Sequence, residues 1–389
     1  MKSELNNGTL TIWLEGRIDS HRAPTVEIEI NNIVKKTEFD HLVLDAEDME
    51  YISSAGLRII LKLLKNYRDV TLVDVSSEVY EILEMTGFTE MMTVERALKC
   101  IDVTGKKIIG KGANGVIYRI DNDTIVKVYN EADTLDHIKA EHDMSRTAFI
   151  LGIPTAIPFG IVKVGERYGS IFELINARTF AELLQQDPTQ IEFVAQQTVE
   201  LAKTLHETEA PIGIPLHSDV ARQWLDEAKS SFDPEHFAKL SALIKTIPET
   251  GTMLHGDLHI KNIMQYEDEA LLIDMDTLSA GHPIYELACI YNAYEGFGIC
   301  DPNVFKNFLS VDESVVKPLL HRILELYLET SDEDRINEVK EKASVIGLLR
   351  VLRRIIRIGE QDTPDGKKLL EECRERINRA VDHLDTLTF

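Results

Sequence analysis

The stretch Leu254-His-Gly-Asp-Leu-His-Ile-Lys-Asn-Ile263, with Leu271-Leu-Ile-Asp-Met-Asp276 close behind it, constrains this chain more than any other. It sets Asp257 and Asn262 on one tight loop and delivers Asp274 at the end of an apolar Leu-Leu-Ile run, as a strand end would. That set suits phosphoryl transfer. The reaction needs a carboxylate to orient the attacking hydroxyl and accept its proton. It also needs oxygen ligands for the Mg²⁺ that bridges the phosphates. Asp257 suits the first task, and Asn262 with Asp274 the second. Asp276 is open between a metal contact and a structural hydrogen bond, and His259, inside the loop, is expected to brace Asp257. Two histidines with no third ligand nearby do not make a zinc site.

Upstream, Lys107-Ile-Ile-Gly-Lys-Gly-Ala-Asn-Gly-Val-Ile-Tyr-Arg119 carries Gly110, Gly112 and Gly115 in a G-x-G-x-x-G pattern. Such glycines let backbone amides approach an anionic phosphate. A dinucleotide fold would need a strand before them and a helix after. Here Gly115 leads into Val-Ile-Tyr-Arg-Ile, then Asp-Asn-Asp, then Thr-Ile-Val-Lys-Val-Tyr, which reads as strand, turn and strand. The hairpin context favours a kinase-type glycine loop. Lys127, in the second strand, can reach the α/β phosphates of a nucleotide beneath that loop; by itself, before the other motifs are counted, it reads as a solvated strand lysine. Glu141, on the next helix, is the candidate to orient it, with Asp143 as the alternative.

Together these motifs resemble the aminoglycoside phosphotransferase and choline kinase branch of the protein-kinase-like fold, over about residues 105–389. The resemblance implies an α+β bilobal domain, with an N-lobe over about 105–175 and a largely helical C-lobe over about 176–389. It implies an ATP- and Mg²⁺-dependent phosphotransferase (a kinase) with an alcohol group as acceptor, the acceptor being a small molecule. A protein kinase or a nucleotide-sensing regulator is the alternative. The histidine-glycine-aspartate start separates this branch from typical protein kinases. Gly281-His-Pro-Ile-Tyr-Glu-Leu-Ala288 matches the family segment after the metal aspartate, with His282 and Glu286 replacing more usual acidic residues. Glu286 can still make an aspartate's structural hydrogen bonds, and His282 is expected to be structural. By the same resemblance Phe172-Glu-Leu-Ile175 is the hinge, where the backbone of Glu173 and Ile175 reads the adenine edge. Val199–His206 would be the core helix, its histidine a packing residue.

The first hundred residues read differently. Leu10, Ile12 and Leu14 alternate with polar or amphipathic neighbours, the period of a half-buried strand, and 41–45 and 70–75 make further strands. Helical stripes fall between them: Val26, Ile30, Ile33 and Val34; Leu57, Ile60, Leu61 and Leu64; Val79, Ile82 and Leu83, with Gly87 to end the last in a left-handed conformation. This alternation predicts an α/β domain with a mixed or parallel sheet. At Asp45-Ala-Glu-Asp-Met-Glu-Tyr-Ile-Ser-Ser-Ala-Gly-Leu-Arg58 a strand ends and a helix opens on Ser53-Ser54. A serine there is an N-cap or a phosphate acceptor, since exposed amides and the helix dipole favour an anion. The segment resembles the STAS domain of anti-anti-sigma factors over about residues 8–98, most specifically at Ile52-Ser-Ser-Ala-Gly-Leu-Arg58, placing the domain at 1–100. The resemblance implies an anti-sigma-like protein partner and a phosphorylatable Ser54, with Ser53 where many members carry aspartate.

Composition sets outer limits. At 389 residues the chain has room for two or three domains. Its 42 basic and 66 acidic side chains give a net charge of −24, which argues against a nucleic-acid or anionic-membrane binder. That charge is compatible with a cationic acceptor. Cys100, Cys289, Cys300 and Cys373 lie far apart and read as reduced thiols. With no apolar leader and no run of about 18 apolar residues, a soluble, cytoplasmic protein is expected. The C-terminal third has helical apolar spacing. There Arg350, Arg353 and Arg357 share a helix face, read either as a solvated face pairing with acids or as a patch for an anionic substrate or the STAS domain.

Overall fold

Strict alternation builds the first unit. In β2 (Thr9–Trp13) Leu10 and Ile12 are buried between half-buried neighbours. Leu42 and Leu44 of β4 (His41–Asp45) repeat the pattern, as do Val70 and Leu72 of β6 (Val70–Val75), until Asp74 at φ +52° interrupts it and Val75 takes the next buried position. A five-stranded sheet runs β1 (Ser3–Asn6), β2, β4, β6, β7 (Thr93–Arg96). Only the β1–β2 pair is antiparallel; the other three are parallel, so the sheet is mixed. β3 (Gly16–Ile18) and β5 (Met49–Ile52) pair separately in parallel. Helices α1 (Ala23–Val34), α2 (Ser54–Asn66) and α3 (Ser77–Met85) turn Val26, Ile30, Leu57, Ile60, Val79 and Leu83 into one core. The α2 stripe departs from expectation. Ile59 and Leu63 are buried where Leu61 and Leu64 are only partly so. Both stripes obey the helical period, and packing against the sheet and neighbouring helices chooses between them. Gly87 is left-handed at φ +77° between α3 and the short α4 (Phe88–Met91), and β8 (Lys99–Cys100) comes after β7.

This computed structural model describes residues 1–112, 114–266 and 269–389. The chain divides into two units: Met1–Asp102 with Val162–Gly165, and Val103–Ile161 with Glu166–Phe389.

In the second unit, β9 (Ile108–Gly112) and β10 (Gly115–Arg119) form the hairpin that carries the glycines, and β11 (Thr124–Tyr129) pairs with β10 in antiparallel register. The sheet continues through β13 (Arg167–Glu173) to residues 158–161 of β12 (Pro158–Val164). α5 (Leu135–Ile150) is capped by Thr134, whose side chain accepts from the His137 amide. Next come β14 (Arg178–Thr179), α6 (Phe180–Gln186), α7 (Ile191–Glu207), α8 (His217–Glu227) and α9 (Pro234–Ile244). Strands β15 (Met253–Leu254), β16 (Ile263–Tyr266), β17 (Glu269–Leu272) and β18 (Ser279–Ala280) bracket the 255–262 loop and the Asp274 turn.

The remaining helices are α10 (Ile284–Tyr294), α11 (Asn303–Leu309), α12 (Glu313–Leu328), α13 (Glu333–Arg357) and α14 (Pro364–Val381), the helical C-terminal region expected from its spacing. All eleven residues of α10 are buried, the polar Glu286 and Asn292 among them. It meets α13 closely at Gly347: a Cβ there would lie 3.0 Å from the Ala288 carbonyl and 2.7 Å from Asn292 Oδ1. Asn292 Nδ2 donates to Gly347 O at 2.8 Å across the crossing. Among the described residues no helix is long and apolar enough to cross a membrane.

Candidate active site

Hairpin, helix and loop converge on a cleft of about 540 Å³ in the second unit. Of the residues singled out from sequence, Gly112, Gly115, Lys127, Glu141, Glu173, Ile175, Asp257, Asn262 and Asp274 line it. Gly110 lies back in β9 against Ile117, and Ser54 belongs to the other unit.

Lys127 points from the centre of β11 to the Glu141 carboxylate, Nζ to Oε1 2.6 Å, and to Asp274 Oδ1 at 3.1 Å. Glu141 is buried on α5 and Asp143, two residues on, is exposed, so helix phase selects between the two candidates. The Tyr129 hydroxyl donates to Glu141 Oε1 at 2.9 Å and lies 3.1 Å from Ser170 Oγ. Burial favours a neutral Lys127, but the charges of Asp274 and Glu141 outweigh it and hold the ammonium's pKa above its ordinary value.

The 255–262 loop is held rigidly. Glu286 accepts from the His255 amide at 2.5 Å and from the Gly256 amide at 3.2 Å, which are the structural bonds expected of it. His255 Nε2 donates to Ile273 O at 3.1 Å, leaving Nδ1 to accept from the Asp257 amide at 3.3 Å. Asn262 Nδ2 donates to Asp257 O at 3.0 Å, so its amide oxygen is the atom left for a ligand. His259 Nε2 lies 3.4 Å from Asp257 Oδ2. Burial would raise the Asp257 pKa, but the His259 contact and the Arg350 charge prevail and hold it well below the carboxylate range. Asp274 sits at φ +65°, at the sharp turn after β17.

Asp276, open between two roles in the sequence, accepts from Asn114 Nδ2 at 3.1 Å and lines the cleft. Burial, reinforced by the Asp274 charge, pushes its carboxyl up to about 7. Carboxylates thus crowd the cleft against Lys127, a setting that suits a divalent cation. Asn262 and Asp274 are too few to enclose one, and no group of three or more histidine, cysteine, aspartate or glutamate side chains able to hold a metal occurs among the described residues. As oxygen donors at the edge of an open cleft, Asn262 and Asp274 fit Mg²⁺, which keeps waters and takes substrate phosphate oxygens.

At the hinge segment, the Glu173 amide donates to Ile157 O at 3.0 Å and the Leu174 amide to Asp123 O at 2.7 Å. His282 Nδ1 accepts from the Ile284 amide at 3.1 Å, and His206 Nδ1 meets the Tyr327 hydroxyl at 2.7 Å; both are packing residues.

The arginine face needs correction. Arg353 does pair with an acid, Glu227, at 2.6 Å. Arg350 is not on a solvated face: its side chain is 24% exposed, and Nη2 donates to Asp257 Oδ1 at 3.1 Å. Its Nη1 donates to Gly256 O at 2.9 Å and lies 3.1 Å from Cys289 Sγ. The close crossing at Gly347 turns this part of α13 toward the loop. The helical spacing of arginines in an acidic chain was the available signal, but their target is far away in sequence. In the first unit, Ser53 is the N-cap of α2, accepting from the Gly56 amide at 3.4 Å and donating to Ile18 O at 2.9 Å. Ser54 is exposed on the first turn.

Likeness to known proteins divides along the two units. A model of the STAS domain matches residues 1–100, and a model of the phosphotransferase enzyme family matches residues 106–318. An anti-sigma F factor antagonist of Paenibacillus polymyxa is 26% identical over 98 residues, 24% of this chain and 84% of that protein. BtrV of Bordetella bronchiseptica is 36% identical over 92 residues, 23% of this chain and 78% of that protein. A thermostable mutant of the aminoglycoside phosphotransferase APH(4)-Ia, solved without ligand, superposes with a TM-score of 0.51 at 14% identity, covering 78% of this chain and 99% of that one. Its ternary complex with AMP-PNP and hygromycin B gives 0.51 at 15%, covering 72% and 95%. At such identities the likeness is one of fold.

Proposed function

We propose that this chain, which belongs to the phosphotransferase enzyme family through residues 106–318, transfers the γ-phosphoryl group of ATP to a hydroxyl of a small molecule. The observation that carries the reading is the convergence of Lys127–Glu141, Asp257, Asn262 and Asp274, from separate elements, on one cleft beneath the glycine hairpin. The AMP-PNP bound by the structurally similar phosphotransferase lends support to ATP as donor. In this reading Lys127 holds the α/β phosphates, and the backbone of 173–175 meets the adenine. Asn262 and Asp274 hold Mg²⁺, which neutralises charge on the phosphates. Asp257 orients the acceptor hydroxyl and takes its proton as the oxygen–phosphorus bond forms, while ADP leaves with the electrons of the broken bond. Catalysis is then mostly positioning and electrostatics. The first unit serves partner binding or regulation, a reading supported by its similarity to anti-sigma factor antagonists.

The test is ATP turnover by the full chain across a panel of hydroxylated metabolites. Asp257→Asn and Asp274→Asn should each lower turnover by at least about 100-fold, with melting temperatures near that of the unsubstituted chain. Undiminished turnover in both variants would remove the role assignment. A second reading, in which the chain phosphorylates its own Ser54, is favoured by one observation: Ser53 is committed to the cap while Ser54 is exposed. Mass spectrometry after incubation with ATP decides it, since no added phosphate at Ser54 removes the idea.

A further inference from the structure

We propose that Arg350 is the positioning residue of Asp257, and that α13 acts on the chemical step through it. The inference rests on the functional reading above and names a part that reading did not contain. Arg350 reaches the loop from 93 residues away in sequence. Its guanidinium grips two successive residues: Nη1 donates to the Gly256 carbonyl at 2.9 Å and Nη2 to Asp257 Oδ1 at 3.1 Å. A planar fork of this kind fixes both the loop backbone and the carboxylate rotamer, which a single point charge does not.

The support extends behind the arginine. The guanidinium carbon lies 5.6 Å from the ring centroid of buried Trp224 on α8, and the Cys289 thiol donates to the same Gly256 carbonyl at 3.0 Å. Three residues before Arg350, Gly347 permits the close α10–α13 crossing, so the fork's root is packed rigidly. Asp257 is thereby anchored through Oδ1, while its side chain keeps 37% exposure and, among the described residues, Oδ2 has only the long 3.4 Å contact to His259. One oxygen is held and the other is available to an incoming hydroxyl. Arg350 does not line the nucleotide cleft, so its effect belongs to the chemical step and not to nucleotide binding.

The experiment uses the full chain with ATP and Mg²⁺ and water as the phosphoryl acceptor, comparing the unsubstituted protein with Asp257→Asn, Arg350→Met and Arg350→Lys. Arg350→Met should lose about 10- to 100-fold in kcat, as expected for a displaced base. KM for ATP and affinity for a fluorescent ATP analogue should stay within about twofold, because no interaction with bound nucleotide is removed. Arg350→Lys keeps the charge and one grip. It should recover part of kcat, and it keeps the test decisive should the methionine variant fail to fold. An Arg350→Met protein with undiminished kcat, or one that loses analogue affinity in parallel with kcat, overturns the positioning role. If Asp257→Asn hydrolyses ATP as fast as the unsubstituted chain, the functional reading itself fails, and that result is distinct from the other two.

Discussion

Lys127 shows how much one side chain depends on its surroundings. A strand lysine ordinarily extends into water. Here its side chain is 13% exposed and its ammonium lies between Glu141 and Asp274. Removing one partner of a buried pair leaves the other uncompensated. Lys127→Met should therefore raise KM for ATP about 10- to 100-fold, the value of a charge-assisted phosphate contact. Steady-state kinetics checks this, and an unchanged KM would return Lys127 to a structural role. Its partnership with Glu141 was legible in sequence as two alternatives, and helix phase chose between them. The Arg350–Asp257 pair was not legible, because helical spacing places arginines on a face without saying what that face meets.

The glycine hairpin and the 255–262 loop carry the chemistry at the scale of elements, and each rests on backbone contacts. Gly115 sits at φ +151°, and a Cβ there would lie 2.2 Å from the Val128 carbonyl of the adjacent strand. Gly112 has open space where a Cβ would sit and an ordinary φ. Gly115→Ala should therefore lose nucleotide affinity and at least about 2 kcal/mol of stability through strain, whereas Gly112→Ala should stay within about 0.5 kcal/mol. Chemical denaturation together with analogue titration separates them, and equal effects would contradict the difference in backbone strain. The loop depends on Glu286. Glu286→Ala would strand the His255 and Gly256 amides, at about 1–3 kcal/mol for each buried donor left unpaired. A midpoint unshifted in urea would show that water replaces the carboxylate. Both elements were legible in sequence, the hairpin from strand flanks and the loop from its motif. The grip of Glu286 on the loop could be expected only as the kind of bond an aspartate makes.

At the scale of the second unit, acid is the perturbation that tests burial. Burial, with a smaller contribution from His282, pulls His206 down to about 3, and burial with the Arg350 charge does the same to His217. Both are neutral when folded, and in the unfolded chain they take up protons near the usual histidine value of about 6.5. Between those values the unfolded state binds more protons at these two sites, so their contribution is intact above about pH 6.5 and falls as pH drops toward 3, by up to about 1.4 kcal/mol per pH unit for each histidine. Asp276 and Glu286, which burial pushes up to about 7, act in the opposite sense over the upper part of the window. The difference between the unsubstituted chain and His217→Asn isolates the histidine: the variant's melting temperature should fall less steeply from pH 6.5 to 4, and parallel profiles for the two proteins would rule out buried neutral His217 as an acid-labile group. The sequence by itself determined the two fold classes, the strand–helix alternation of the first unit and the motif residues that line the cleft, Gly110 excepted. Those depend on local periodicity and on motifs whose members are close in the chain or tied to one element. Only the tertiary structure decided that Arg350 faces Asp257, that α2 buries Ile59 and Leu63, and that Asp276 meets Asn114. Such pairings depend on helix rotation and interhelical approach, which are set by packing among residues far apart in sequence and leave no periodic trace in it.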